Sequence, residues 1–472
     1  MPGNTSNNSG PQSTAQLDLI TKEHPDYDQL RQVWNATADR YPSAIARCRR
    51  SEDVSNAVLQ AAATGLPVSV RGGGHNIAGT AVADDALMID LTEMHAVEID
   101  VSSKKARVQG GATWANLDTA TQAHGLVTPG GVVSETGVGG LTLGGGIGWL
   151  ARRFGLTIDN LLSAEIVLAD GRIITASKEK HADLFWAIRG GSGNFGVVTS
   201  FTFQLHHLSD QALFGPTFFA LEDAARVLNA YATHAPNLPR EACVWANIMT
   251  APALPILPES HHGDKVLNLM QCHTGDPQNA RTDLVKLYGG ATPLGSALEA
   301  RPFIEAQSFL DPVYEFGARN YWRAHNHQHL GPALIDLLVE LAPSLPTPES
   351  EILICQLGGA VADVPDTETA FPHRKTQFLS TPGVRWRNPG DDVQVIGWLK
   401  DASSRIAKHA TPGGYVNFIT ETADTSARAY GQNLERLSRI KRRYDPNNLF
   451  RVNQNIVPAP ISDTQRDAAP GI

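Results

Sequence analysis

Arg71-Gly72-Gly73-Gly74-His75-Asn76 and, further on, Gly137-Val138-Gly139-Gly140-Leu141-Thr142-Leu143-Gly144-Gly145-Gly146-Ile147-Gly148 are the stretches whose reading decides the fold. Nine of the nineteen residues 130–148 are glycine, a density that brings backbone rather than side chain against a large ligand. Glycine lacks the Cβ that blocks close approach and tolerates positive φ, so consecutive N–H groups can converge on a phosphate. Turns and linkers also accumulate glycine, but here the flanks read as strands. Pro67-Val68-Ser69-Val70 feeds the first loop and Leu87-Met88-Ile89 follows it. Val97, Ile99 and Val101 alternate with polar residues, Ser102-Ser103 turn the chain, and Ala106 and Val108 return. Glycine set into sheet, with a nucleophilic histidine closing the first loop, implies a bound dinucleotide.

Outward from these loops, residues 17–206 read as one α/β unit. Thr113 is placed to cap a helix that Gly125 closes, Asp170-Gly171 makes the turn of a hairpin, and Thr199, Phe201, Phe203 and Leu205 alternate as a half-buried strand. In residues 207–411 glycine thins, proline rises, and helical segments such as 221–232 alternate with apolar strands such as 352–357. Near the end, Leu434, Leu437, Ile440 and Tyr444 recur at helical spacing until Asp445-Pro446 stops them. The first sixteen residues, rich in Ser, Asn, Thr and Gly, read as a disordered tail.

The net charge of −9, from 39 basic and 48 acidic residues with no basic run, argues against nucleic acid or an anionic membrane as partner. No stretch approaches the roughly 20 apolar residues of a membrane span, and the start resembles no secretion signal, so a cytoplasmic protein is expected. Cys48, Cys243, Cys272 and Cys355 form no Cys-x-x-Cys pair and read as core residues, with no disulfide framework and no metal site.

The two glycine runs, with Phe154-Gly155-Leu156, Asp183-Leu184-Phe185-Trp186, Asn194-Phe195-Gly196-Val197-Val198-Thr199, Tyr415-Val416-Asn417-Phe418 and Tyr444-Asp445-Pro446-Asn447-Asn448-Leu449-Phe450, resemble the FAD-linked oxidases related to berberine bridge enzyme. The blocks fall at both ends of the chain in the family's order. The resemblance implies an α+β fold: a two-part FAD-binding domain of vanillyl-alcohol oxidase type, 17–206 and 412–472, with an inserted substrate domain, 207–411, of antiparallel sheet covered by helices.

It also implies roles. His75 matches the histidine that carries the flavin through its 8α-methyl carbon, a link that makes the ring a stronger oxidant and prevents its loss. A second, cysteinyl link would fall on Val133, so a monocovalent FAD is expected. The cofactor set comprises Arg71, Gly72, Gly73, Gly74, Asn76 and Gly79 in the first loop; Thr136, Gly137, Gly139, Gly140 and Leu141 in the second; and Gly144, Gly145, Gly146 and Gly148 beside the ring. Val198 is expected at the adenine end, and Asn417, Asn453 and Asn455 are expected to hydrogen-bond the flavin. Thr136 matches the position where relatives control access of O2.

Tyr415 is the leading candidate for the catalytic group that handles a substrate proton, although a phenol's reference pKa of about 10 disfavours ionisation. Where relatives often carry an active-site glutamine or glutamate, this chain has Thr381. Tyr321, Trp322 and His325, in an aromatic and titratable segment, complete the expected substrate set; His325-x-His327 alone is two ligands, too few for a metal. The function implied is oxidation of a small alcohol or amine, an aromatic metabolite among the candidates, by hydride transfer to flavin N5, with O2 as acceptor giving H2O2. Rival readings are a flavin dehydrogenase, a flavin protein without redox turnover, and an NAD-dependent Rossmann enzyme, for which Asp90 falls near the spacing of a ribose ligand.

Overall fold

The computed structural model describes residues 17–208, 211–423 and 425–460; the tail expected at 1–16 lies outside the described residues. The first glycine loop leaves a four-stranded sheet whose order is Asp18–Ile20, Ala44–Arg47, Leu87–Asp90 and Val68–Arg71, the last three strands parallel. Val54, Ala57, Val58 and Ala61, one stripe of the helix Ser51–Thr64, are buried, as its spacing of small and branched residues dictates. After Arg71 the chain makes no helix but runs through the glycine loop to Leu87–Asp90. That removes the Rossmann alternative, and Asp90 is instead paired with Arg71 at 2.6 Å.

A second sheet, five antiparallel strands in the order Val97–Asp100, Lys105–Gln109, Val197–Gln204, Leu161–Val167 and Ile173–Ser177, carries the second glycine run on its connections. The hairpin at Asp170-Gly171 forms as its sequence predicts, with Gly171 at φ +79°. The helix after Thr113 spans Trp114–Gln122, and the Thr113 N–H donates to Asn116 Oδ1 at 2.9 Å. Strand Val97–Asp100 stops short of Val101 because the Asp100 carboxylate accepts the Ser102 and Ser103 hydroxyls, 2.6 Å each, and so makes the turn.

The third sheet has nine antiparallel strands, with Gln211–Ala220, Lys265–His273, Ala242–Thr250, Glu351–Gln356, Phe378–Trp386 and Arg319–Trp322 adjacent in that order. Helices Leu221–His234 and Pro332–Leu341 bury their apolar stripes on one face, in a core with Val244, Ile248 and Ile354. The other face looks toward the glycine loops. From the end of the chain, Val416, Tyr430, Leu437, Tyr444 and Ile456 join the core of the second sheet with Phe185 and Phe201. Lys441, wholly buried, holds that segment by donating to Asp445 at 2.5 Å and to the Asn194 carbonyl at 2.6 Å. Among the described residues no helix is long and apolar enough to cross a membrane.

Candidate active site

Two glycine loops interlock to make the site. A Cβ on Gly73 would stand 2.4 Å from the Gly137 nitrogen, and one on Gly137 would stand 2.4 Å from the Gly73 nitrogen. Gly72 and Gly139 both face the Gly110 carbonyl oxygen, 3.0 Å from where their Cβ atoms would lie. The missing Cβ of Gly140 meets nothing within 4 Å. These residues, with Gly74, Asn76, Thr136, Leu141 and Val198, wall one end of a large cavity.

Other expected cofactor residues support the cavity from behind. Arg71 turns away, pairing with Asp90 and donating to the Leu30 and Gln32 carbonyls. It thereby fixes the segment that carries Trp34. Gly79, at φ +64°, seats against Ala38. Gly144 and Gly146 would drive a Cβ to 2.1 Å from Asn417 Oδ1 and 2.0 Å from Thr157 Oγ1; Gly148 meets the Gly130 carbonyl at 2.0 Å. Gly145, at φ +130°, lies against Phe371 and Tyr415. This run is a bearing for the Tyr415-Val416-Asn417 segment rather than cavity wall. Asn453 lines the cavity and Asn455 does not, though both have a buried side-chain oxygen without a partner.

His75 opens onto the cavity between Trp34, stacked at 5.3 Å, and the edge of Phe316 at 5.0 Å. Its Nε2 is buried and has no hydrogen-bond partner. Burial, with the Arg385 charge adding to it, pulls the His75 pKa down to about 4. The imidazole is therefore neutral at physiological pH and keeps a lone pair for bonding.

Tyr415 also faces the cavity, only 2 % exposed. Its hydroxyl oxygen accepts the Gly146 N–H at 3.1 Å and Asn417 Nδ2 at 2.9 Å. With both lone pairs engaged, the phenolic proton is the free end of the group. Burial outweighs these donors and pushes the pKa up to about 12, so Tyr415 is a phenol at neutral pH.

Of the four expected substrate residues, the structure brings Trp322 alone to the cavity. The period of two along Arg319–Trp322 sends Tyr321 to the opposite face, where it packs on Val384 and Val395 and donates to Glu421. His325 is buried with Nε2 on Ser403 Oγ at 2.8 Å; His327 does the same with Ser380 at 2.7 Å. These histidines are structural, and among the described residues no group of three metal-ligating side chains forms. Thr381 is buried in mid-sheet opposite Leu353 and does not reach the cavity.

The strands contribute residues that local sequence did not mark. Trp245 and Asn247, Asn268 and Met270, and Glu351 and Leu353 alternate onto the cavity face of three adjacent strands. Polar residues at the buried-face positions of apolar strands, as in Trp245-Ala246-Asn247-Ile248, were the available signal.

Comparison with known proteins agrees with this fold. Residues 42–177 match the FAD binding domain family model, and residues 414–457 match the berberine and berberine-like model. The FAD-linked oxidoreductase YgaK of Bacillus subtilis is 30% identical over 448 residues, covering 93% of this chain and 96% of the relative. The (R)-6-hydroxynicotine oxidase of Paenarthrobacter nicotinovorans is 29% identical, with 94% and 97% covered. The crystal structure of 6-hydroxy-D-nicotine oxidase from Arthrobacter nicotinovorans superposes with a TM-score of 0.85 at 26% identity, over 94% of this chain and 98% of that one.

Proposed function

The chain belongs to the FAD-linked oxidoreductases of the berberine bridge enzyme type, and from that premise we propose that it holds FAD covalently through His75 and oxidises a small alcohol or amine with O2 as the electron acceptor. The residues present fit the cofactor: glycine loops that leave no room for a Cβ at Gly73 or Gly137 interlock beside one cavity, and a neutral histidine with an unpartnered buried nitrogen opens onto it. The histidine is the observation that carries the reading. A protonated His75 would have no lone pair to bond the 8α carbon.

Bound FAD supplies an acceptor for a hydride from the substrate. The chain's own groups do the rest. Backbone N–H groups of residues 72–76 and of Gly137, Gly139 and Gly140 would bind the pyrophosphate, the Val138 N–H being taken by the Ala112 carbonyl at 2.8 Å, and Val198, Asn417 and Asn453 would hold the rest of the cofactor. Asn76 Oδ1 accepts the Ala78 N–H at 2.9 Å, which fixes the loop and leaves its backbone for the ligand. Tyr415 directs its hydroxyl proton at the substrate heteroatom and orients it; Gly146 and Asn417 hold the phenol oxygen for that task. Trp34, Trp322 and Phe418 exclude water around the reacting carbon. Thr136, small and at the cavity wall, leaves room for O2.

Acid precipitation tests the linkage. Yellow colour should stay with the wild-type pellet and leave with the supernatant for His75→Ala; colour that washes from wild type ends the covalent reading. Peroxide release under air tests the acceptor. Reoxidation no faster than that of free reduced flavin would make the protein a dehydrogenase.

A further inference from the structure

We propose that Glu351 is the substrate-recognition carboxyl of this cavity and that it receives a protonated amine borne on an aromatic or apolar body. The proposal rests on the small-molecule oxidase reading above and names the substrate class for that site.

Glu351 begins the strand Glu351–Gln356 and lines the cavity opposite the glycine cradle. Its two oxygens are arranged as acceptors: the Tyr314 hydroxyl donates to Oε1 at 2.7 Å and Asn247 Nδ2 donates to Oε2. Among the described residues no cation forms an ion pair with it. The nearest candidate, Arg385, is engaged with Glu349 at 2.9 Å, the Glu315 carbonyl at 2.7 Å and Asn320. A carboxyl in a cavity, held by two neutral donors and lacking a counter-ion, is incomplete until a cation arrives. Burial raises its pKa, and a bound cation would offset that cost.

The surroundings extend the same preference. Because Asn247 must turn its Nδ2 toward the carboxyl, its Oδ1 faces away, buried and without a partner. Asn268, beside it in register on the next strand and 4 % exposed, also has an unpartnered Oδ1 and lines the same cavity. Three acceptor groups thus stand on adjacent strands of one cavity wall. Around them stand aromatic faces: Trp322 meets the edge of Tyr314 at 6.0 Å, and Trp245 lies 4.7 Å from Trp149. Acceptor oxygens ringed by aromatics attract an ammonium through both charge and ring quadrupole. A neutral alcohol gains from neither to the same extent.

Quenching of tryptophan fluorescence in the holoprotein measures this directly, since Trp34, Trp149, Trp245 and Trp322 line the cavity. The probes are phenethylamine, phenethyl alcohol and N-acetylphenethylamine at neutral pH. Phenethylamine should bind wild type at least about tenfold tighter than the other two, which carry no charge. Glu351→Gln should abolish that preference while changing alcohol affinity less than about twofold, and Tyr314→Phe, which leaves the carboxyl, should keep it. Equal binding of the three probes, no binding of the amine, or an amine preference that survives in E351Q overturns the proposal. The three-probe series on wild type can by itself overturn the proposal, so the test stands even if a variant does not fold. Fluorescence needs no turnover, so failure of the oxidase reading, seen as the absence of peroxide release under air, is distinguishable from failure of this inference, seen as equal binding of the three probes.

Discussion

The glycine cradle and the sheet floor face each other across one cavity, and they are built by opposite means. In the cradle, backbone meets backbone. Gly73 and Gly137 touch with no room for a methyl group, and side chains such as Arg71 and Asn76 serve the loops themselves. On the floor, side chains do the recognising, each delivered by the alternation of a different strand. The cradle can therefore tolerate no side chain at Gly73 or Gly137. The floor can change its ligand by changing one residue.

The harshest way to break that contrast is Gly73→Ala. Its Cβ would meet the Gly137 nitrogen and Cα at 2.4 and 2.6 Å, both backbone atoms with no rotamer to escape by. We expect a loss of about 3 kcal/mol or more in stability and a flavin-to-protein absorbance ratio near zero. A fully flavinated, equally stable variant would mean that the two loops do not interlock. Next in size is Tyr415→Phe, which keeps the ring and removes the proton aimed at the substrate. It should lower kcat by about 100-fold, the order seen for positioned proton-handling groups, with flavin content unchanged. Because burial holds the phenol at about 12, no limb of the wild-type pH–rate profile below about pH 10 should vanish in the variant.

The contrast also explains what was legible in the sequence. Backbone contacts between loops need glycine at fixed positions, so the cradle is written locally: Gly72, Gly73, Gly137 and Gly139 can be picked out by eye and do reach the cavity. The run from Gly144 was legible as close contact but not as to partner, since Asn417 and Thr157, not a ligand, fill the missing Cβ positions. The floor is different. Asn247, Asn268 and Glu351 come together only after the strands pair in the order that places 242–250 between 265–273 and 351–356. Nothing local fixes that order, and a register slip of one residue would turn each of them to the opposite face. Tyr321 and Trp322 illustrate the cost. Adjacent aromatics look alike in sequence, and the pleat sends one to the cavity and the other to a helix.

A milder effect comes from the buried histidines that frame the floor. Burial lowers the pKa of His325 to about 3 and that of His327 to about 4, with the Arg428 charge adding to the shift at His325. The folded state thus favours the neutral form while the unfolded chain titrates near 6.5. The stabilisation is fully present above that value and is lost as pH falls through the folded values, each histidine contributing on the order of 3 kcal/mol. Denaturant midpoints should decline from pH 7 toward pH 4, and His325→Asn should flatten the decline. A midpoint indifferent to pH over this range would mean that these rings are not buried as neutral groups.

The smallest expected effect is the most discriminating about the floor. Thr381 occupies the position where a family carboxamide or carboxylate was anticipated, yet its hydroxyl is buried, unpartnered and out of the cavity. An unsatisfied buried hydroxyl costs about 1 kcal/mol or more, so its isostere Thr381→Val should be neutral to slightly stabilising in thermal denaturation. KM should stay within about twofold of wild type, because no substrate atom meets this side chain. If Thr381→Val instead raised KM severalfold at unchanged Tm, the strand Phe378–Trp386 would be presenting Thr381 to the substrate, and the floor would have to be redrawn around it rather than around Glu351.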